Sequence, residues 1–278
     1  MDAYPFNLIL AVATASASIF LGFLPTKSIS SSFFTRESSK FILAWVLVAL
    51  TSPTKIAHYP LFYAFLSFAA WWNFRKDNAF SGKMWLSVAS GLGISTGIMF
   101  ILAVTPRAYP PGLTPLSEGL LLTSIYLGSG IIGLAYVCFT FIQSTKINSG
   151  VTQNVIQRYV GLLPYLTLVR AAVIVATFFL LPGHFENKTT WYNANTPPVS
   201  EAHHGSATTY FFKASDSDTS ISLTVLAPMA LAVLVLPLLA FLAQKQTHLS
   251  SRVQPTRTLI AIILIGFLTE ILARLLIL

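Results

Sequence analysis

The chain has 278 residues, of which 54% are hydrophobic and only 9% are charged, so it carries more apolar surface than one soluble core can bury. This composition excludes an ordinary soluble domain. It indicates an all-α integral membrane protein, because helices satisfy their own backbone hydrogen bonds in lipid. The net charge of +8 is spread over short connections between apolar runs, which excludes a nucleic-acid-binding face.

Eight charge-poor apolar runs follow one another, and about 20 such residues suffice to cross the hydrocarbon core as a helix. We therefore predict a single transmembrane domain over residues 1–278, built as a bundle of eight spans. The first run lacks a basic segment ahead of it and a clear cleavage site after it, so we expect it to stay as a helix. The predicted spans are Phe6–Leu24, Phe41–Thr54, Leu61–Phe74, Met84–Thr105, Leu120–Gln143, Tyr159–Leu181, Ile221–Leu242 and Leu259–Leu278.

The second span is short, with Pro53 and Lys55 at its end, so a re-entrant hairpin is the alternative. If it crosses, eleven basic residues lie in loops on one side and four on the other; if it does not, the division is seven against eight. Lys and Arg accumulate in cytoplasmic loops, which favours eight crossings. Both termini are then periplasmic in a bacterial inner membrane, and residues 182–220 form a long periplasmic loop.

Ionisable side chains inside spans require a reason, because inserting a charge costs about 2.5 to 3.5 kcal/mol on translocon scales. Glu270 and Arg274 lie four residues apart in the last span, in the favourable order for an ion pair. They either neutralise each other inside the bundle or belong to a site. Arg170, near the middle of span six, needs a carboxylate, backbone carbonyls or water, and we expect a structural role for it.

Three more polar residues lie at the predicted outer ends of spans two to four. His58 precedes span three, and an imidazole accepts and releases protons near neutral pH, which suits the oxidation of a quinol. Arg107 and Tyr109 follow span four in the proline-rich segment "TPRAYPPGLTP", where they could hold quinone oxygens by hydrogen bonds. Each of the three also fits an ordinary interfacial anchor.

Metal and haem ligands are scarce along the sequence. The single cysteine, Cys138, excludes an internal disulfide and a cysteine cluster, and four of the five histidines fall in predicted loops. A b-type haem needs axial histidines on facing helices. We therefore expect no haem and no metal in this chain, so that any redox metal belongs to a partner.

These features resemble the membrane anchor subunit of the DMSO reductase family, a haem-free quinol-oxidising component of molybdoenzyme complexes. The resemblance rests on eight spans with outer termini, Trp45 thirteen residues before His58, and Glu270-x3-Arg274 in the last helix. The segment "TPRAYPPGLTP" is similar to the family's outer loop before its fifth span. The resemblance implies menaquinol binding at His58 and carries the final-helix acid and base over to Glu270 and Arg274.

The resemblance also implies two partners on the periplasmic side, an iron–sulfur electron-transfer subunit and a molybdopterin catalytic subunit. The expected function is oxidation of menaquinol to menaquinone near the periplasmic face, between spans two, three, four and eight. His58 and Glu270 would take the protons, and Arg274 would tune the carboxylate. The alternatives are a small-solute transporter and a purely structural anchor; the larger polysulfide-reductase type of anchor usually has more spans than eight.

Overall fold

The structure is a computed structural model that describes residues 4–26, 29–52, 56–108, 115–145, 153–180, 229–248 and 253–277. Within these ranges, the side chains of residues 96–108, 115–118, 121–122 and 273–277, and those of residues 4–5, 145, 153, 178–180, 248 and 253–254, are not described. The described residues form eight helical elements and no strand. They are α1 (Tyr4–Phe23), α2 (Ser31–Thr51), α3 (His58–Arg75), α4 (Ala79–Ala108), α5 (Pro115–Thr145), α6 (Gln153–Leu180), α7 (Leu236–His248, directly after a π-helical turn at Leu231–Val235) and α8 (Val253–Ile277).

Among the described residues, four helices contain stretches long and apolar enough to cross a membrane, namely Phe6–Phe23, Thr123–Ser144, Asn154–Thr177 and Pro255–Leu272. Large apolar side chains are also exposed on other helices, such as Leu43 on α2 and Phe65 on α3. Exposed apolar surface of this extent is unfavourable in water and favourable in lipid. The prediction of an all-helical membrane protein is therefore confirmed at this level.

The doubtful second span is a continuous helix of 21 residues that begins ten residues before Phe41. At about 1.5 Å per residue it is roughly 30 Å long, so the re-entrant hairpin is not what the chain forms here. Its first half contains Arg36, Glu37 and Lys40, which the sequence had indicated as part of a loop. The predicted loop at 182–220 and the start of the seventh span at 221–228 lie outside the described residues.

Local chemistry accounts for several helix ends and irregularities. α3 ends at a tight turn in which Asp77 has a positive φ of 57°, and Asn78 then accepts a hydrogen bond from the backbone N–H of Ser81 at the start of α4. The π-helical turn precedes Pro237, which has no N–H to donate to the preceding turn. α6 continues through Pro164, whose carbonyl oxygen accepts a hydrogen bond from Thr167 Oγ1 at 2.9 Å.

The helices pack as two rings of four. The first ring consists of α1 to α4: each helix contacts the next one in sequence, and α4 also contacts α1. The second ring consists of α5 to α8 and closes in the same way, with α8 in contact with α5. The rings join where α1 packs against α5 and α8. At this joint a Cβ on Gly133 would come within 2.7 Å of the backbone nitrogen of Ala17, so the two helices approach as closely as glycine allows.

One end of the described bundle carries a group of basic side chains. Ile9 of α1 and Ile271 of α8 belong to one apolar cluster, so α1 begins and α8 ends at the same end, which we call the terminal end. The opposite end carries basic side chains on α2, α3 and α4, and we call it the basic end. Five of its described cations lie within 6 Å of the centre of an aromatic ring, namely Arg36, Lys40, Arg75, Lys76 and Lys83.

Candidate functional site

The deepest ionic contact in the described structure joins α6 to α8. The Nη2 of Arg170 donates a hydrogen bond to Oε1 of Glu270, and both residues are only 2% exposed. Removing two charges from water is costly, and the cost is offset only when the charges meet and hydrogen bond. Of the partners that the sequence left open for Arg170, the one found is a carboxylate, that of Glu270, one hundred residues further along the chain.

Gly128 of α5 makes room for this ion pair. A Cβ at this position would overlap the Glu270 carboxylate and lie 2.9 Å from the guanidinium carbon of Arg170. Three helices of the second ring thus converge on the pair, with the backbone of α5 forming one wall. Next to the acid, Thr269 is buried and its hydroxyl donates to the carbonyl oxygen of Gly266 at 2.8 Å, so it adds no unpaired polar atom.

Arg170 retains unused hydrogen-bonding capacity. Its Nε and Nη1 are buried and have no hydrogen-bond partner in the described part of the chain. Buried donors of this kind are rare in folded proteins, because each one loses its hydration without replacement. These two nitrogen atoms can therefore offer three further N–H groups to acceptor oxygens.

Of the other predicted site residues, the structure describes the side chain of His58 only. His58 is exposed at the first position of α3, and its ring lies 4.1 Å from that of Tyr59. Arg107 lies in the last turn of α4 and Arg274 near the end of α8, but their side chains are outside the description, and Tyr109 lies outside the described residues. The Glu270–Arg274 ion pair stays a prediction.

The structure assigns His58 and Glu270 to different rings, the first on α3 and the second on α8. His58 is exposed, whereas the carboxylate is buried among α5, α6 and α8. Trp45, the other residue of the resemblance near His58, is 1% exposed and packs edge-on against Tyr63 at 5.1 Å. In the described structure His58 and Glu270 thus lie in two separate environments, and not in the common pocket that was expected between spans two, three, four and eight.

Sequence reasoning missed a second buried carboxylate, Glu37 of α2. Lys40 Nζ contacts both of its oxygens at 3.0 Å, Arg36 Nε contacts one at 3.1 Å, and the Tyr136 hydroxyl of α5 donates to Oε2 at 3.0 Å. Glu37 is fully buried, whereas the side chains of Arg36 and Lys40 are about 46% and 45% exposed. The signal for this site was the i, i+3 spacing of Glu37 and Lys40 within a helix that began earlier than expected.

A groove lies between α1, α5 and α6. Its volume is about 470 Å³, and its lining includes Ser16 and Phe20 of α1, Tyr126 and Gly130 of α5, and Leu166 of α6. The Tyr126 hydroxyl is already committed, because it donates to the carbonyl oxygen of Ile94 at 2.8 Å. The groove is mostly apolar, as is usual for sites that bind amphiphilic organic molecules.

Comparison with known proteins gives no assignment, because no family model, no curated protein and no solved structure matches this chain.

Proposed function

We propose that the chain is the membrane subunit that oxidises a quinol, menaquinol by the resemblance, for an oxidoreductase complex in a bacterial inner membrane. The Arg170–Glu270 pair carries the proposal. A carboxylate and a guanidinium held together inside an apolar bundle cost free energy that packing alone would avoid, and such intramembrane charges mark proton or ligand sites. All eight helices would span the bilayer in the functional protein.

The chemistry requires destinations for two electrons and two protons, since a quinol releases both pairs on becoming a quinone. In the proposal the electrons pass to an iron–sulfur partner subunit, which supplies a molybdopterin catalytic subunit. Glu270 accepts one proton while Arg170 stays cationic. His58 lies in a separate environment on α3, so in the proposal its exposed imidazole receives the other proton after that proton has left the quinol.

The direction of proton release follows from the charge of the two ends. Basic residues concentrate at the basic end, where Arg36, Lys40 and Lys83 lie, and such residues prefer the cytoplasmic side. The terminal end would then face the periplasm, with both termini and residues 182–220 on that side. His58, at the start of α3, lies at this end and would release its proton there.

The test compares His58→Gln with Tyr59→Phe, a neighbouring and equally exposed position. The complex would be purified in mild detergent and examined for iron–sulfur and molybdopterin subunits, quinol oxidation and reduction of its acceptor by an artificial soluble donor. We expect His58→Gln to lose quinol oxidation and keep the soluble-donor activity, whereas Tyr59→Phe keeps both. Wild-type quinol turnover in His58→Gln would remove this residue from the mechanism.

A transporter is the second candidate, because Arg170 and Glu270 meet within a closed ring of four helices and could line a path for a solute. The two functions differ in what the purified chain does alone. Solute uptake by vesicles containing only this chain, with no redox subunits recovered from cells, would favour transport. Recovery of the subunits without either activity would indicate a purely structural anchor.

A further inference from the structure

One side of α2 is exposed along its whole length in the described structure, and its chemistry changes from charged to apolar. Arg36 and Lys40 come first, and Leu43, Leu47 and Leu50 follow at spacings of three and four residues. Residues with these spacings lie on one side of a helix. The leucines are 69%, 44% and 77% exposed. This side, which we call the α2 face, therefore presents two cations followed by an apolar stripe.

A buried carboxylate holds the two cations in place. Glu37 accepts hydrogen bonds from Arg36 Nε at 3.1 Å and from Lys40 Nζ at 3.0 Å. Arg36 also lies over the ring of Phe33, and Lys40 over that of Tyr136, each at 5.8 Å from the centroid. These contacts restrict two long side chains, so a ligand that binds them immobilises less that was free before.

The charge of this group is not balanced within the described part of the chain. Arg36 and Lys40 share one carboxylate, that of Glu37, and no second described carboxylate contacts either of them. Two cations and one carboxylate leave one net positive charge. Because the side chains of both cations are nearly half exposed, this charge is presented at the surface of the bundle.

The position of the cations along α2 places them beside lipid when α2 crosses the bilayer as proposed. The eleven residues from Phe41 to Thr51 complete the helix after Lys40. They span about 16 Å, roughly half of the hydrocarbon layer. Long side chains in a helix point back toward its N-terminus, which for α2 lies at the basic end. The charged groups therefore reach toward the headgroups of the leaflet at that end, where a lipid phosphate is the most abundant anion.

We propose that the α2 face binds a phospholipid with a net negative headgroup from the leaflet at the basic end. The phosphate oxygens accept hydrogen bonds from Arg36 and Lys40, and one acyl chain lies along Leu43 and Leu47. A guanidinium has further N–H donors besides Nε, so Arg36 can bind the carboxylate of Glu37 and a phosphate together. One net positive charge matches a singly charged headgroup, whereas the ammonium of a zwitterionic headgroup would be repelled. The inference goes beyond the proposed function, because it needs α2 to cross the bilayer but does not need quinol oxidation.

The experiment removes the two cations and compares two lipids. Full-length wild type and variants in mild detergent would be mixed with equal amounts of phosphatidylglycerol and phosphatidylcholine that carry the same acyl chains, and native mass spectrometry would count the lipids retained. The test variant is Arg36→Gln with Lys40→Gln. The matched control is Arg75→Gln with Lys76→Gln, which removes the same charge from the same end, where both cations are exposed and lie over tryptophan rings with no described carboxylate to hold them.

We expect wild type to retain phosphatidylglycerol at least about fivefold more strongly than phosphatidylcholine. The test variant should lose this preference, and the control variant should keep it. Equal retention of the two lipids by wild type would overturn the proposal, since water would then be enough to solvate the cations. Equal losses in the two double variants would also overturn it, because the attraction would belong to the basic end as a whole.

Two further measurements address folding and the source of the phosphate. Arg36→Gln alone leaves Lys40 in contact with both oxygens of Glu37, so this variant should fold and still lose most of the preference. An unchanged preference in it would overturn the proposal. Excess inorganic phosphate should leave the lipid bound, because the acyl chain also contacts the leucines; release of phosphatidylglycerol by phosphate would assign the cations to a free anion and overturn the lipid assignment. The outcome of the quinol assays changes none of these readings.

Discussion

The two buried carboxylates in the described part of the chain, Glu37 and Glu270, are neutralised in different ways. Glu37 lies near the basic end and has two cations that remain nearly half exposed, so water and lipid headgroups share the cost of its burial. Glu270 pairs with an arginine that is itself buried, and the cost is borne within the bundle. The comparison teaches that a carboxylate in a helix is ordinary where its partners reach the interface, and requires a function where they do not.

The largest expected effect is that of Glu270→Gln. The variant leaves the Arg170 guanidinium buried without its charged partner, which costs about 3–5 kcal/mol in folded proteins. Glu37→Gln leaves partly exposed cations that can rehydrate, so it should cost about 1 kcal/mol. Thermal unfolding of both variants in the same detergent checks the difference, and equal losses would contradict the distinction between the two sites.

The double variant Arg170→Leu with Glu270→Leu separates stability from function. Replacing a buried ion pair by apolar side chains of similar size is often neutral or stabilising, so this protein should unfold within about 1 kcal/mol of wild type. Its quinol oxidation should nevertheless be lost, because neither the proton acceptor nor the arginine donors remain. A stable double variant that retains quinol turnover would reduce the pair to a structural element.

Gly128→Ala should have an intermediate effect. The added methyl group would overlap the Glu270 carboxylate, and forcing atoms into a packed interior typically costs about 1–3 kcal/mol. Gly91→Ala is the control, because a Cβ there meets nothing within 4 Å and alanine is the better helix former. Unfolding temperatures that fall in Gly128→Ala and stay level or rise in Gly91→Ala would confirm that α5 must approach the pair through glycine.

The sequence predicts features that depend on neighbouring residues better than features that depend on contacts between distant parts of the chain. The lengths of the apolar runs predicted eight successive helices, because the hydrophobicity of a run is read from adjacent residues. The start of α2 was misplaced because Arg36 and Lys40 resemble loop residues until Glu37 and the nearby rings of Phe33 and Tyr136 are seen beside them.

The ion pair shows the same limit within the site. The desolvation cost of Arg170 predicted that it needs an acceptor, and a carboxylate was one of the choices. Only the packing of α6 against α5 and of α5 against α8 identifies that acceptor as Glu270. The nearby candidate for Glu270 in the sequence was Arg274, because spacing along a helix reports neighbours on that helix alone.

The smallest expected effect tests the polar link between the two rings at the basic end. Tyr136→Phe removes the hydrogen bond from α5 to Glu37 and keeps the ring that packs against Phe41 at 6.4 Å. Because Lys40 and Arg36 still hold the carboxylate, the loss should be about 1 kcal/mol, against the larger loss in Glu270→Gln. Adding Tyr136→Phe to Glu37→Leu should cost little more than Glu37→Leu alone, since leucine has no acceptor and each change removes the same hydrogen bond. Additive losses in this double-mutant cycle would show that the tyrosine hydroxyl stabilises the joint between the rings independently of the carboxylate.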